Sequence, residues 1–402
     1  MKNCFKDLTG EMVEYLLKTL PQIVFEVTEA CNLRCRYCAF SDFYMKNRGR
    51  DGKKLSFQTA KKLMDFLFDM WREKSIVEIP LKLNLAFYGG EPLLNMPLIR
   101  QIVEYAEANA HRINRRITCS MTTNALLLSQ HLDYLVAHDF TIMISLDGDA
   151  IGNGYRVDGG GSPTFQTVFT QVKDLQKKYP DFFARNILFN AVLHDRNDYA
   201  GIVRFFEYQF GKRPSISPLS QYNLNHDHDT EFNKMLNREQ IDDSCIPLNI
   251  APALMTFKKE FEQKSGNYYY DFNELLFDYG GFKITPTGTC LPFSKKLFLS
   301  ADGRILQCEK IDHGQPLGFV DETTVHLHPE SVAARFNEIV SRYRKSCEHC
   351  RIASRCPQCI HMTDTPTCKY ARSSFTEGID VSRIRHNAAE ALEIIYNMNT
   401  KR

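Results

Sequence analysis

Ile23-Val24-Phe25-Glu26-Val27-Thr28-Glu29-Ala30-Cys31-Asn32-Leu33-Arg34-Cys35-Arg36-Tyr37-Cys38 reads as a buried strand that runs straight into three cysteines. The apolar residues from Ile23 to Val27 are β-branched or aromatic, the composition of a strand. The spacing Cys-x3-Cys-x2-Cys then places three thiolates on one short loop. Three thiolates can hold three irons of a four-iron cluster and leave the fourth iron open for chemistry. Cluster cysteines normally come in fours, and the next cysteine is Cys119. The missing ligand is therefore expected to be a substrate or cofactor that comes and goes. A three-cysteine zinc or redox loop is the alternative that spacing alone leaves open.

Working outward, residues 22 to about 220 alternate strand-like and helix-like segments, the pattern of parallel strands joined by crossover helices. Ser56 can cap a helix whose apolar face runs Leu63, Leu67, Met70 and Trp71. Leu81, Leu83, Leu85 and Phe87 alternate with Lys82, Asn84 and Ala86, a strand period that ends at Gly89. Further strands are expected at Ile117 to Thr122, Thr141 to Leu146, Ile187 to Leu193 and Ser215 to Leu219. That makes six βα units, an α/β fold. In parallel barrels the loops at the carboxyl ends of the strands build the active site.

Composition bounds the function classes. At 402 residues and 43% hydrophobic, the chain can bury a large core and is expected to hold two domains. Lys+Arg 50 against Asp+Glu 48 gives net +2, so nothing points to nucleic acid or an anionic membrane as partner. No apolar stretch approaches a membrane span and the amino terminus lacks a signal-peptide core, so a cytoplasmic protein is expected. Thirteen cysteines are an odd number, which cannot pair completely, and ten of them fall into two regions. Those ten read as metal ligands.

The segment from Cys31 to Cys38, with an aromatic residue, Tyr37, before the last cysteine, resembles the cluster loop of the radical S-adenosylmethionine enzymes. The resemblance implies a partial (β/α)6 TIM-like barrel and a [4Fe-4S] cluster whose open iron is chelated by S-adenosylmethionine. It also implies that an electron from the reduced cluster cleaves this cofactor to a 5′-deoxyadenosyl radical, an abstractor of hydrogen atoms. An electron donor such as flavodoxin or ferredoxin would be a partner. By the same resemblance Gly89-Gly90-Glu91-Pro92 bonds the amino group of S-adenosylmethionine. Ser120 and Asn124, in Ser120-Met121-Thr122-Thr123-Asn124, would face the cofactor. Ser145 and Asp147, in Ser145-Leu146-Asp147-Gly148, match a segment of peptide-modifying members, Arg156 would lie near the cofactor carboxylate, and Asn190 is a further adenine contact. Each short polar segment also reads as a strand-end turn with local hydrogen bonds.

The second cysteine region comprises Cys290, Cys308, Cys347, Cys350, Cys356, Cys359 and Cys368. Its pattern, Cys-x12-Gly-x4-Cys followed by Cys-x2-Cys-x5-Cys-x2-Cys and a last cysteine, resembles the SPASM domain, an auxiliary-cluster module of peptide- and protein-modifying radical enzymes that include the anaerobic sulfatase maturases. The resemblance implies two auxiliary iron-sulfur clusters, one held by Cys347, Cys350, Cys356 and Cys368 and the other by Cys290, Cys308 and Cys359. Two departures stand out. The family pattern has three residues, not two, between the positions of Cys356 and Cys359, and Ile284 to Thr289 offers no additional cysteine before Cys290. Cys245 could fill that place, or could be a simple thiol like Cys4 and Cys119. A zinc ribbon is the competing account of residues 347 to 368, but it leaves Cys290, Cys308 and Cys368 unexplained. The basic residues Arg342, Arg344, Lys345, Arg351 and Arg355 read equally as a solvated face or as tuning of a cluster.

The expected organisation is a radical S-adenosylmethionine barrel over 1–220, a bridging segment over 221–284, and a SPASM domain with a carboxyl-terminal amphipathic helix over 285–402. In the bridging segment, Asn225-His226-Asp227-His228-Asp229 reads as a solvated loop and Tyr268-Tyr269-Tyr270 with Phe272 as packing residues. The implied activity is hydrogen-atom abstraction from a ribosomally made precursor peptide, forming a crosslink or an oxidised residue. With only 21 residues before the first strand, a separate protein or the barrel mouth is expected to bind the leader peptide. The alternative is conversion of Cys or Ser to formylglycine in a sulfatase, for which Glu309, directly after Cys308, could be the base. A non-catalytic iron-sulfur or zinc scaffold is a third reading.

Overall fold

The computed structural model describes residues 5–45, 52–72, 81–113, 115–236, 284–285, 287–311, 313–350 and 359–362. The chain divides into two compact units. One comprises Lys18–Ile241 and Lys296–Leu327, the other Met1–Leu17, Asp242–Lys295 and His328–Arg402.

In the first unit, β1 (Gln22–Thr28), β2 (Leu81–Gly89), β3 (Arg115–Thr123), β4 (Thr141–Ser145), β5 (Ile187–Leu193) and β6 (Ser215–Pro218) are parallel neighbours in chain order. Helix α1 (Gly10–Lys18) precedes β1, α8 (Asp229–Met235) follows β6, and helices cross between the strands: α2 (Phe57–Arg72), α3 (Met96–Asn109), α4 (Leu128–Ala137), α5 (Phe165–Lys178) with the short α6 (Pro180–Asn186), and α7 (Tyr199–Phe210). This is the expected α/β architecture with a partial six-stranded parallel barrel, and all six strands fall within a few residues of the sequence-based ranges. Ser56 caps α2 through Oγ, which accepts from the Thr59 N–H at 3.0 Å.

Burial alternates along the strands. Phe25, Leu83, Leu85, Phe87, Met121, Ile142, Ile144, Ile187 and Phe189 lie under the helices, while the other face of β4 and β5 stays half-buried, with Leu188 42% exposed. Parallel strands covered on both faces read as unbroken apolar runs. Here β1 is buried on both faces, while β4 and β5 keep one face covered and the other half-buried, and it is this less covered face on which a barrel enzyme works.

The sheet continues past β1. Strand β7 (Leu297–Leu299) pairs parallel to β1, and β8 (Arg304–Leu306), β9 (Gly318–Val320) and β10 (Val325–His326) follow as antiparallel neighbours. Residues 296–327, placed by sequence with the second domain, thus complete the sheet of the first unit. Two- and three-residue strands carry too few positions for a period to show, so this extension was not legible in the sequence. Glu26, 1% exposed, accepts the Ala301 N–H at 3.0 Å and anchors the β7–β8 turn on β1.

In the second unit, α9 (Pro329–Cys347) ends at the buried Cys347, and the Cys350 N–H bonds back to the Cys347 carbonyl at 3.1 Å. The Ile360 N–H donates to Thr289 Oγ1 at 2.8 Å, which brings together the segments holding Cys290 and Cys359. Cys356 and Cys368, the aromatic run at 268–272, Cys4, Cys245 and the carboxyl-terminal helix lie outside the described residues. So do Arg351 and Arg355, whereas Arg342 and Arg344 pair with Glu338 and Asp7.

Candidate functional site

A cleft of about 720 Å³, open to solvent, lies at the carboxyl ends of the parallel strands. Cys31, Cys35 and Cys38 line it together with Tyr37, Gly89, Gly90, Glu91, Asn124, Ser145 and Arg156. Sequence reasoning had singled out all ten, and Thr123, which also lines the cleft, as the partner of Asn124 in a Thr-Asn pair; it did not assign a role to the lining residues Leu33, Ala39, Phe40, Tyr88 and Thr122. Tyr88 and Thr122 are the last concave positions of their strands, so strand alternation could have pointed to them.

The two glycines are also required by the chain packed against them. A Cβ on Gly89, at φ +136°, would fall 2.2 Å from the Thr28 carbonyl oxygen, and one on Gly90 2.2 Å from that of Ala30. Both distances are impossible, so glycine is required for this turn to lie against the chain entering the cysteine loop. The Gly90 and Glu91 N–H groups bond the Thr28 and Ala30 carbonyls, each at 2.9 Å. Glu91 itself is 1% exposed. Its carboxylate accepts from Thr123 Oγ1 at 2.7 Å, the Asn124 N–H at 2.7 Å and the Leu93 N–H at 3.1 Å. Burial pushes its pKa up to about 7 in spite of those three bonds. Pro92 is buried at the start of the turn that follows.

Asn124 closes the circuit by donating to Asn32 Oδ1 at 2.8 Å, beside Cys31. Ser120 lies four residues earlier, on β3, where its Oγ accepts from Asn84 Nδ2 at 2.8 Å; it is not among the residues lining the cleft. Asn190, paired in register with Ser145, is not among them either.

Asp147 is fully buried and binds protein groups only. It accepts from Arg156 Nε at 2.9 Å and Nη2 at 3.0 Å, from the Val192 N–H at 2.9 Å, and from the Tyr37 hydroxyl. Burial alone would raise its pKa, but the Arg156 guanidinium and the hydrogen bonds outweigh it and hold the carboxyl at about 2. The cysteine loop is laced to the same region by backbone bonds from Arg34 N to Val157 O, 2.7 Å, and from Arg36 N to Tyr155 O, 3.2 Å. His194, which sequence reasoning missed, is buried and stacks on Tyr37 with ring centroids 5.7 Å apart. On the outer side Phe43, Tyr44, Leu219, Phe232 and Met235 pack with Tyr37, and Arg36 bridges Asp42 and Glu231. His226 and His228 pair with Asp229 and Asp42, in keeping with a solvated loop.

Burial raises the Cys35 thiol to about 11, with Cys38 and Cys31 adding to the effect and Arg156 opposing it. Binding of a metal centre must therefore displace a proton there. Among the described residues no three His, Cys, Asp or Glu side chains converge on a single ion. A cluster in which each iron takes one thiolate needs no such convergence; it needs thiols spread around one cleft, which is the arrangement present.

Glu309 lies elsewhere. β8 runs antiparallel to β7 and so delivers Cys308 and Glu309 to the amino-terminal end of β1. Six residues of strand separate that level, near Gln22, from Thr28, roughly 20 Å at the usual rise. Glu309 pairs with Lys296 at 3.0 Å. Burial opposes its ionisation, yet the Lys296 charge keeps its pKa below the usual value. Between the two ends, Val24, Ala86, Phe298, Leu306 and Ile311 form an apolar patch with Tyr88 and Cys308 packed against it.

Comparison with known proteins agrees with this geometry. A family model for the radical SAM superfamily matches residues 25–206. The cysteine-type anaerobic sulfatase-maturating enzyme of Clostridium novyi is 22% identical over 353 residues, covering 83% of this chain and 86% of its own. An uncharacterised protein of Methanocaldococcus jannaschii, MJ0907, is 27% identical over 221 residues, covering 54% of this chain and 71% of its own. The solved structure of native anSMEcpe with bound AdoMet shares the fold, with a TM-score of 0.55 at 17% identity and coverage of 94% of this chain and 97% of that one.

Proposed function

Because the chain is a radical SAM enzyme related to the anaerobic sulfatase maturases, a family that implies a [4Fe-4S] cluster and S-adenosylmethionine, we propose that it is a peptide maturase acting on a ribosomally made precursor. The observation that carries this reading is the placement of three cysteines, the Gly-Gly-Glu-Pro turn and Arg156 around one cleft at the carboxyl ends of the strands. Cys31, Cys35 and Cys38 would hold the cluster. The backbone of Gly89 and Gly90, with Ser145 and Arg156, would bind the cofactor. The bound group would supply hydrogen-atom abstraction. The chain's part is to orient the peptide on the concave face and keep water from the reacting carbon. Cys308 and Glu309, the candidate base, stand at the far end of that face from the cysteine loop.

The carboxyl-terminal cysteines are proposed to form a SPASM domain with two auxiliary clusters, one held by Cys347, Cys350, Cys356 and Cys368 and one by Cys290, Cys308 and Cys359. A separate leader-binding protein and a low-potential electron carrier complete the proposed partners. Among the described residues no helix is long and apolar enough to cross a membrane.

A second reading, formylglycine formation in a sulfatase, is favoured by the half-buried, ionised Glu309 beside Cys308 and by the relative from Clostridium novyi. The absence of a cysteine between Ile284 and Thr289 speaks against it. The test is anaerobic incubation of the reduced protein with S-adenosylmethionine and either a cysteine-containing sulfatase-motif peptide or candidate precursor peptides, read by mass spectrometry. Loss of two hydrogens in a precursor with a new crosslink supports the first reading. Exchange of the cysteine thiol for an aldehyde in the sulfatase peptide reverses the order, and failure to cleave S-adenosylmethionine at all defeats both.

A further inference from the structure

We propose that Glu91 and Asp147 are positioning residues that fix the two ends of the cysteine loop, and that neither carboxylate touches the cofactor. The proposal rests on reading the cleft as the S-adenosylmethionine site.

At the first end, Glu91 holds the loop from two sides. Its N–H donates to the Ala30 carbonyl at 2.9 Å, immediately before Cys31. Its carboxylate receives the Asn124 N–H at 2.7 Å, and the Asn124 side chain reaches Asn32 Oδ1 at 2.8 Å, immediately after Cys31. Thr123 and Leu93 supply the other two donors to the same carboxylate. At the second end, Asp147 receives the Tyr37 hydroxyl, one residue before Cys38. It also clamps Arg156 in a two-pronged ion pair and accepts the Val192 N–H. Arg156 is itself held between the two backbone bonds that tie Arg34 and Arg36 to Val157 and Tyr155. The cation beside Cys35 thus has one fixed position.

Both carboxylates meet donors only. An ionised carboxylate has about four acceptor positions and no hydrogen to give; Glu91 fills three and Asp147 four. At 0% exposure Asp147 has no acceptor position left, and the one that Glu91 keeps is closed off at 1% exposure. An amide of the same shape would put an N–H against the donors it meets, so Glu91→Gln and Asp147→Asn break the braces without changing volume. The loop then spends part of its time outside the binding-competent arrangement, and apparent affinity falls by the competent fraction. A competent fraction of about one tenth corresponds to a tenfold weaker apparent Kd.

The experiment uses the full chain, reconstituted with iron and sulfide without oxygen and then reduced. S-adenosylmethionine is titrated while the change it causes in the EPR spectrum is followed, and the urea midpoint is measured on the same samples. Glu91→Gln and Asp147→Asn are expected to retain wild-type iron, to need about tenfold more S-adenosylmethionine for the half-maximal spectral change, and to show a broadened signal before its addition. Two milder changes guard against loss of folding. Tyr37→Phe removes one hydroxyl donor from Asp147, and Asn32→Ala removes the last link from Asn124 to the loop. Both are expected to reproduce the weaker binding.

If the variants have lower urea midpoints but bind S-adenosylmethionine with wild-type affinity and line shape, the braces serve the fold alone and the proposal is overturned. If Asp147→Asn loses binding while Tyr37→Phe keeps wild-type affinity, Asp147 acts through Arg156 or on the ligand and not by fixing the Cys38 end of the loop, and the proposal is equally overturned. A wild-type protein whose spectrum does not respond to S-adenosylmethionine refutes the reading of the cleft itself, and the proposal falls with it.

Discussion

Glu91 should give this protein an unusual pH dependence, opposite in sign to that of most carboxylates in proteins. Its pKa is about 7 in the folded chain against 4.5 for an ordinary glutamate, because burial outweighs three hydrogen bonds. The folded state therefore binds a proton more tightly than the unfolded state does. Stability from this group is fully present below pH 4.5 and is lost as pH rises through 7. The difference between about 7 and 4.5, at about 1.4 kcal/mol per pH unit, is on the order of 3 kcal/mol. Glu91→Gln does not titrate, so its stability relative to wild type should drift by about that amount between pH 4.5 and 8, in favour of the variant as pH rises. Urea unfolding of the metal-free chain in oxygen-free, reducing buffer measures it, and the wild-type-minus-variant difference cancels the other titrating groups. Parallel stability curves would refute the reasoning. A drift of opposite sign would show that Thr123, Asn124 and Leu93 outweigh desolvation and depress the pKa instead.

Other consequences are as concrete. Asp147→Asn should cost about 3–5 kcal/mol, because it leaves Arg156 charged and buried without its partner, while the double change with Arg156→Leu should cost much less than the sum of the single ones; urea midpoints of the four proteins decide, and additivity would mean the pair is not coupled. Gly90→Ala drives a methyl into the Ala30 carbonyl, so reconstituted protein should lose the iron bound at the amino-terminal loop while its far-UV circular dichroism stays unchanged. Removing Cys31, Cys35 and Cys38 together should lower iron from about twelve per chain to about eight if one radical and two auxiliary clusters are present. About four irons with zinc in the wild type would point to a structural ribbon in place of the auxiliary clusters.

The parallel half of the fold was legible because its strands are long and its period is undisturbed. Leu81 to Phe87 alternates against Lys82, Asn84 and Ala86, and the model has β2 start at Leu81. Ile187 to Leu193 was read to the residue. The extension β7 to β10 was not legible, since strands such as Arg304–Leu306 are shorter than one readable alternation and owe their place to pairing with a distant strand. The same limit hid the position of Glu309. Its neighbour Cys308 marks it as interesting in sequence, but only the antiparallel turn at Ala301 and Gly303 reveals that it faces the end of the sheet opposite the cysteine loop.

Within the site, sequence pointed to residues that line the cleft without recording which way their side chains turn. Gly-Gly-Glu-Pro looks like a ligand turn, and seven motif residues other than the cysteines do line the cleft. Yet the glycines are required by the carbonyls of Thr28 and Ala30, and Glu91 turns its charge away from the opening to gather three donors. Nothing in a one-dimensional motif records side-chain direction, so a residue that shapes a site and one that touches the ligand look alike in sequence. The two acids show how far environment then separates identical chemistry. Asp147, facing a guanidinium and a phenol, is held at about 2, while Glu91, facing only neutral donors, is pushed to about 7. Near neutral pH the brace at Cys38 is permanently charged and the brace at Cys31 is half-titrated. The two ends of the loop should therefore differ in rigidity as pH changes, with the Cys38 end the invariant one.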